Sequence, residues 1–106
     1  MNKFNAKKVV VDGEVFDSKK EYYRWCDLRL LQRAGKISDL QRQVKYELIP
    51  KQDGERACTY VADFVYTQDG KTVVEDCKGY KRGAAYQLFS IKRKLMLLRG
   101  IKIKET

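Results

Sequence analysis

Polar and apolar positions alternate with a period of two in several short runs of the chain and with a helical period in two longer ones. Val9-Val10-Val11 and Glu14-Val15-Phe16 flank Asp12-Gly13, which predicts a small hairpin over residues 7–16. Ser18-Lys19-Lys20-Glu21 then fits a capping box at the start of a helix. That helix runs through Tyr22, Tyr23, Trp25, Cys26, Leu30 and Ala34, and Gly35 suits the position just past its end. Ile37 to Leu40 reads as a connector. Val44 to Ile49 alternates as a strand does, and Pro50 closes it. Lys51 to Ala57 is a polar loop. Ala84 to Arg99 reads as a helix with Leu88, Ile91, Leu95 and Leu98 on one apolar stripe and Gly100 ending it. Ile101 to Glu105 follows as a last strand.

Between these elements, Tyr60 to Gln68 and Lys71 to Lys78 are β-rich runs on either side of Asp69-Gly70, a strong hairpin signal because both turn positions favour positive φ. A two-residue loop there makes Gln68 face Lys71, and the same register makes Asp63 face Asp76. Side chains facing each other on one side of a hairpin lie about 4.5–5.5 Å apart at Cβ, and like charges there repel. Lys78 falls two residues past Asp76 and shares its side, so the face reads Val61, Asp63, Val65 against Val74, Asp76, Lys78. Glu75 points the other way.

Two facing carboxylates in an apolar surround call for a cation. Mg²⁺ takes one or two carboxylates, keeps several waters and completes its shell with phosphate oxygens. Phosphodiester hydrolysis is the chemistry such a site supports, with a lysine to orient water or offset charge. The alternative is a pair of strand-end acids with Lys78 as an ordinary salt-bridge partner. Acid-any-Lys occurs three times, at Asp17-Ser18-Lys19, Asp69-Gly70-Lys71 and Asp76-Cys77-Lys78, and only the third has a second carboxylate held opposite it.

The 106 residues are read as a single domain, with 7–16 as an accessory hairpin and 18–105 as the core. The formal charge is +9, and from Gly79 onward eight basic residues stand against Glu105 alone, a net +7. A one-sided basic surface attracts polyanions through counterion release, which favours nucleic acid over a generic solubilising role. There is no histidine, which excludes Ser-His-Asp and Cys-His hydrolases and His-based zinc sites. Cys26, Cys58 and Cys77 are widely spaced and imply neither a disulfide framework nor a zinc site, so a reducing, cytoplasmic setting is expected. No apolar run is long enough to span a membrane, and no signal-peptide pattern is present. Tyr22, Tyr23 and Trp25 are read as core rather than as base-stacking platforms.

The order α-β-β-β-α-β, with Asp63 on one strand and Asp76-Cys77-Lys78 on the next, resembles the PD-(D/E)XK nuclease superfamily, which includes restriction endonucleases and Holliday-junction resolvases. Ala62 stands where the family name has proline. Glu75-Asp76-Cys77-Lys78-Gly79, with Phe16-Asp17-Ser18-Lys19-Lys20-Glu21 upstream, is similar to small phage and prophage members. The resemblance implies an α/β fold, a central mixed sheet flanked by helices, with Mg²⁺ or Mn²⁺ as the cofactor and DNA as the partner. It implies metal ligation by Asp63, Asp76 and the main-chain carbonyl of Cys77, with Lys78 positioning water. Glu21 matches a first-helix glutamate that joins the metal site in several branches, while its capping role is an equal explanation. Gln87 matches a site-contacting position on the second helix, and Lys92 or Arg93 is suited to DNA phosphate. Tyr80, Lys81 and Arg82 either grip a backbone beside the scissile bond or form a solvated loop.

The expectation is therefore a metal-dependent DNA endonuclease, structure-selective rather than reading a long site, with homodimerisation as the arrangement that suits two-strand cleavage. The rivals are a non-catalytic nucleic-acid-binding module that keeps the fold and, third, a module whose basic C-terminal face binds an acidic protein partner. None of these readings calls for an organic cofactor or a membrane.

Overall fold

The computed structural model describes residues 7–78 and 81–106. The Asp-Gly pairs of the two predicted hairpins turn as their chemistry dictates, with positive φ at Asp12 and Gly13 (52° and 79°) and at Asp69 and Gly70 (52° and 74°). The first closes the hairpin of β1 (Val9–Val11) and β2 (Glu14–Phe16). The second joins β4 (Cys58–Gln68) to β5 (Lys71–Asp76), and its register runs from Gln68↔Lys71 to Phe64↔Glu75. The next step of that register sets Asp63 level with Asp76.

The fold is α/β, with the N-terminal hairpin, a four-stranded mixed sheet and two helices. Helix α1 (Lys19–Arg33) precedes β3 (Ser38–Ile49), and α2 (Gly83–Leu98) carries the chain from β5 to β6 (Ile103–Glu105). The sheet order is β3-β4-β5-β6, antiparallel except for the β5–β6 pair, which is parallel and uses α2 as its crossover. Among the described residues, no helix is long and apolar enough to cross a membrane.

Strand β3 begins at Ser38, so most of the segment read as a connector is strand. Asp39 and Gln43 adopt left-handed φ of 54° each, and a register shift separates Ser38 from Gln41. These breaks in the pleat hide the period-two pattern while the ladder continues. They also turn the sheet. Tyr60 and Ala62 pack in the cluster under α2, whereas Phe64 and Tyr66, in phase with them along β4, pack in the cluster under α1. The change of side falls at Asp63, between the pairs Val44↔Ala62 and Arg42↔Phe64.

Helix α1 is held by Trp25, which stacks on Phe64 at 6.1 Å, and by Leu28, fully buried against Ile37 and Tyr66. Tyr23, grouped with the core from sequence, is exposed. Helix α2 corrects the apolar stripe. The side chains it buries are Phe89 and Met96, against Tyr60, Ala62, Val65, Val74 and Ile103, while Leu88, Ile91 and Leu98 are exposed. Phe89 and Met96 are seven residues apart on one face, with half-buried Tyr86 and Leu95 packed beside them, so Leu95 is the member of the predicted stripe that does meet the core.

Candidate active site

Five elements converge on one open cleft of about 410 Å³. The start of α1 brings Glu21, β3 and β4 bring Gln43 and Asp63, the end of β5 brings Asp76, and α2 brings Lys92. Asp76 is buried at the floor, where its Oδ2 accepts from the Tyr60 hydroxyl at 2.7 Å. Its Oδ1 lies 3.3 Å from Lys78 Nζ, and that ammonium sits 3.7 Å from the centre of the Phe89 ring. Asp63 Oδ2 accepts the main-chain N–H of Cys77 at 2.7 Å, and its Oδ1 accepts from Gln43 Nε2 at 3.4 Å. The hairpin register thus puts the two carboxylates in one site and Lys78 beside them.

The electrostatics are unbalanced. Burial, then the charge of Asp76, pushes Asp63 up to about 8, against the lowering effect of the Cys77 N–H. Burial is the larger cause, so the metal-free protein keeps a proton on Asp63 near neutral pH, and a cation placed beside it would favour its release. Burial and the Asp76 carboxylate also raise the Tyr60 phenol, which stays protonated and donates.

Glu21 has two tasks. Ser18 Oγ accepts its N–H at 3.1 Å, as an N-cap does, but its carboxylate departs from the capping box. Oε1 accepts from the N–H of Asp17 at 3.2 Å rather than from Ser18. Oε2 accepts from Arg42 at 3.3 Å and from Gln43 Nε2 at 3.2 Å. Gln43 thereby links Glu21 to Asp63. Burial raises Glu21 from its usual range, while the Asp17 N–H and Arg42 pull it back. Arg42 itself lies 3.8 Å from the Phe16 ring centre and pairs with Glu14, so the accessory hairpin braces this side of the cleft.

The basic residues divide. Lys92 lines the cleft. Arg93 turns away from it to pair with Glu105 at 3.2 Å and to donate to the Tyr86 hydroxyl at 3.2 Å. Gln87 is exposed and outside the cleft lining, Lys81 is exposed, and Arg82 occupies the N-cap position of α2. Tyr80 lies outside the described residues. Cys77 meets the site through its N–H. Tyr60 and Gln43 have no sequence signal as pronounced as an acid-x-Lys, although a buried tyrosine hydroxyl requires a polar partner and Asp76 is the nearest acid on the facing strand.

Among the described residues, no three His, Cys, Asp or Glu side chains converge as a ready-made metal cage. The donor set still fits a hard divalent cation. Mg²⁺ is held by one or two carboxylates with waters and phosphate oxygens filling the remainder of the shell, and here Asp63 and Asp76 line one open cleft.

Over residues 1–106 the sequence matches the family described as "Protein of unknown function (DUF1064)", and the chain belongs to that family. No curated protein and no solved structure matches.

Proposed function

We propose that this DUF1064 protein is a divalent-metal-dependent DNA endonuclease of the PD-(D/E)XK type. The observation that carries the reading is Asp63 beside Asp76 at the floor of an open cleft, with Asp63 pushed up to about 8 and Lys78 on the same side. The α-β-β-β-α-β order and the net charge of +9 support it. Asp63 and Asp76 would hold Mg²⁺ or Mn²⁺. The bound ion would polarise a phosphodiester and lower the pKa of a coordinated water.

The remaining roles belong to side chains. Lys78, held by Asp76 and the Phe89 ring, is sited to orient the attacking water and offset charge on the phosphate. Tyr60 and Gln43 keep the carboxylates aimed, and Lys92 offers a cation for a neighbouring phosphate. Glu21 acts through Gln43 while Arg42 holds it. The free thiols of Cys26, Cys58 and Cys77 suit an intracellular setting, in keeping with a phage or prophage role in DNA processing.

Incubation with supercoiled, linear and branched DNA in Mg²⁺ tests this. Asp76→Ala and Lys78→Ala should each lower cleavage by about a hundredfold or more, and EDTA should abolish it. Cleavage that survives EDTA, or full activity in Asp76→Ala, would overturn the mechanism. One observation favours the rival binding module, namely that Arg42 already pairs with the Glu21 carboxylate. That reading requires DNA binding that is salt-dependent and indifferent to Mg²⁺.

A further inference from the structure

Helix α2 has two apolar faces, and the sheet uses one of them. Phe89 and Met96 enter the core, whereas Leu88, Ile91 and Leu98 are 53%, 57% and 84% exposed. With half-buried Leu95 they form a 3-4-3 spacing, the repeat that presents a continuous seam along a helix. Scattered exposed apolar residues are ordinary, but a contiguous stripe marks an interaction surface. From Leu88 to Leu98 the seam runs about 15 Å, roughly three turns.

The rim says what fits it. Helical geometry sets Lys92 and Arg99 along one side of the stripe and Gln87 and Lys94 along the other. No acidic residue occurs between Gly83 and Leu98. A second copy laid antiparallel on this seam would bring Lys92 against Arg99 of its twin, like charge on like charge, in a protein of net charge +9. A nucleic acid would find cations but would leave three aliphatic side chains in water.

We propose that the outward face of α2 is a docking site for an acidic amphipathic helix of a partner protein. Its aliphatic side chains would bury Leu88, Ile91, Leu98 and the part of Leu95 that the core leaves open, and its flanking carboxylates would meet Lys92 and Lys94, since Arg99 already donates to the Leu48 carbonyl at 2.7 Å. Leu88 and Lys92 also line the cleft, so the occupant would lie along its edge. The proposal does not depend on nuclease activity.

The probe is a designed amphipathic helix of roughly three heptads with Leu at a and d and Glu at e and g, compared with the same peptide carrying Lys in place of Glu. The full chain should bind the Glu peptide saturably and the Lys peptide at least about tenfold more weakly. Ile91→Glu and Leu98→Glu, both at exposed positions outside the cleft, should each weaken the Glu peptide by about tenfold or more. Lys94→Glu should shift preference toward the Lys peptide. Equal binding of both peptides, or of neither, overturns the proposal. So does self-association abolished by Ile91→Glu, which would make a second copy the occupant, or a loss of DNA affinity in Leu98→Glu without peptide binding, which would make it nucleic acid.

Discussion

Glu75 and Asp76 are adjacent in sequence, both buried, and opposite in meaning. Glu75 has a side chain with 0% exposure on the α1 side of β5, where it accepts from Arg24 at 2.8 and 2.7 Å and from the Tyr66 hydroxyl. Burial alone would raise its pKa, but Arg24 and Tyr66 outweigh that and hold it below the usual range. On the other side, Asp76 shares its site with Asp63; Lys78 pairs with Asp76, while Asp63 is held by two neutral donors, Gln43 and the Cys77 N–H. A buried acid with a matched partner is structural. A buried pair short of positive charge is poised for a cation from outside.

The contrast breaks most visibly if the matched side loses its partner. Arg24→Ala would leave buried Glu75 with the Tyr66 hydroxyl and the more distant Lys104 ammonium at 4.0 Å, and urea unfolding should report a loss of about 3 kcal/mol. Removing charge from the other side should do the reverse. Asp63→Asn should stabilise the metal-free protein at pH 8 by about 1–2 kcal/mol, a figure discounted for the screening of a half-buried group. Tyr60→Phe, which strips Asp76 of its hydroxyl donor, should cost about 1–2 kcal/mol in the same assay.

pH separates the two sides with opposite signs. Folded Asp63 keeps its proton up to about 8, whereas its ordinary value is 3.8, so between these values the folded state binds a proton that the unfolded state has lost. Its contribution is full below that ordinary value and declines as pH rises toward 8. Glu75 is depressed, so its contribution is present above its ordinary value of 4.5 and is lost as pH falls through its folded value. Thermal unfolding in EDTA should therefore show a midpoint that falls from weakly acidic to weakly basic pH, and Asp63→Asn should flatten that slope.

The features legible in the sequence are those with local causes. Two Asp-Gly pairs dictated both hairpins, and counting outward from Asp69-Gly70 reached the Asp63–Asp76 pair and the opposite orientation of Glu75. The α2 stripe was read on apolar character alone, and the core went to Phe89 and Met96 because tertiary packing chose between two apolar faces. The first half of β3, before Val44, hid behind Asp39 and Gln43, whose left-handed backbone breaks alternation without ending the ladder. Gln43, Arg42 and Tyr60 reach the site through that bend. A bend is a property of paired strands, and period-two counting along one strand does not register it.

The central claim is that Asp63 and Asp76 together hold a divalent cation. A Mg²⁺ titration of the thermal midpoint at pH 8, on the native chain and on Asp63→Asn, tests it most directly. The native midpoint should rise saturably, by the equivalent of about 2.7 kcal/mol at a hundred times the dissociation constant, and Asp63→Asn should not respond. An unmoved native midpoint, or an equal rise in Asp63→Asn, would contradict the account.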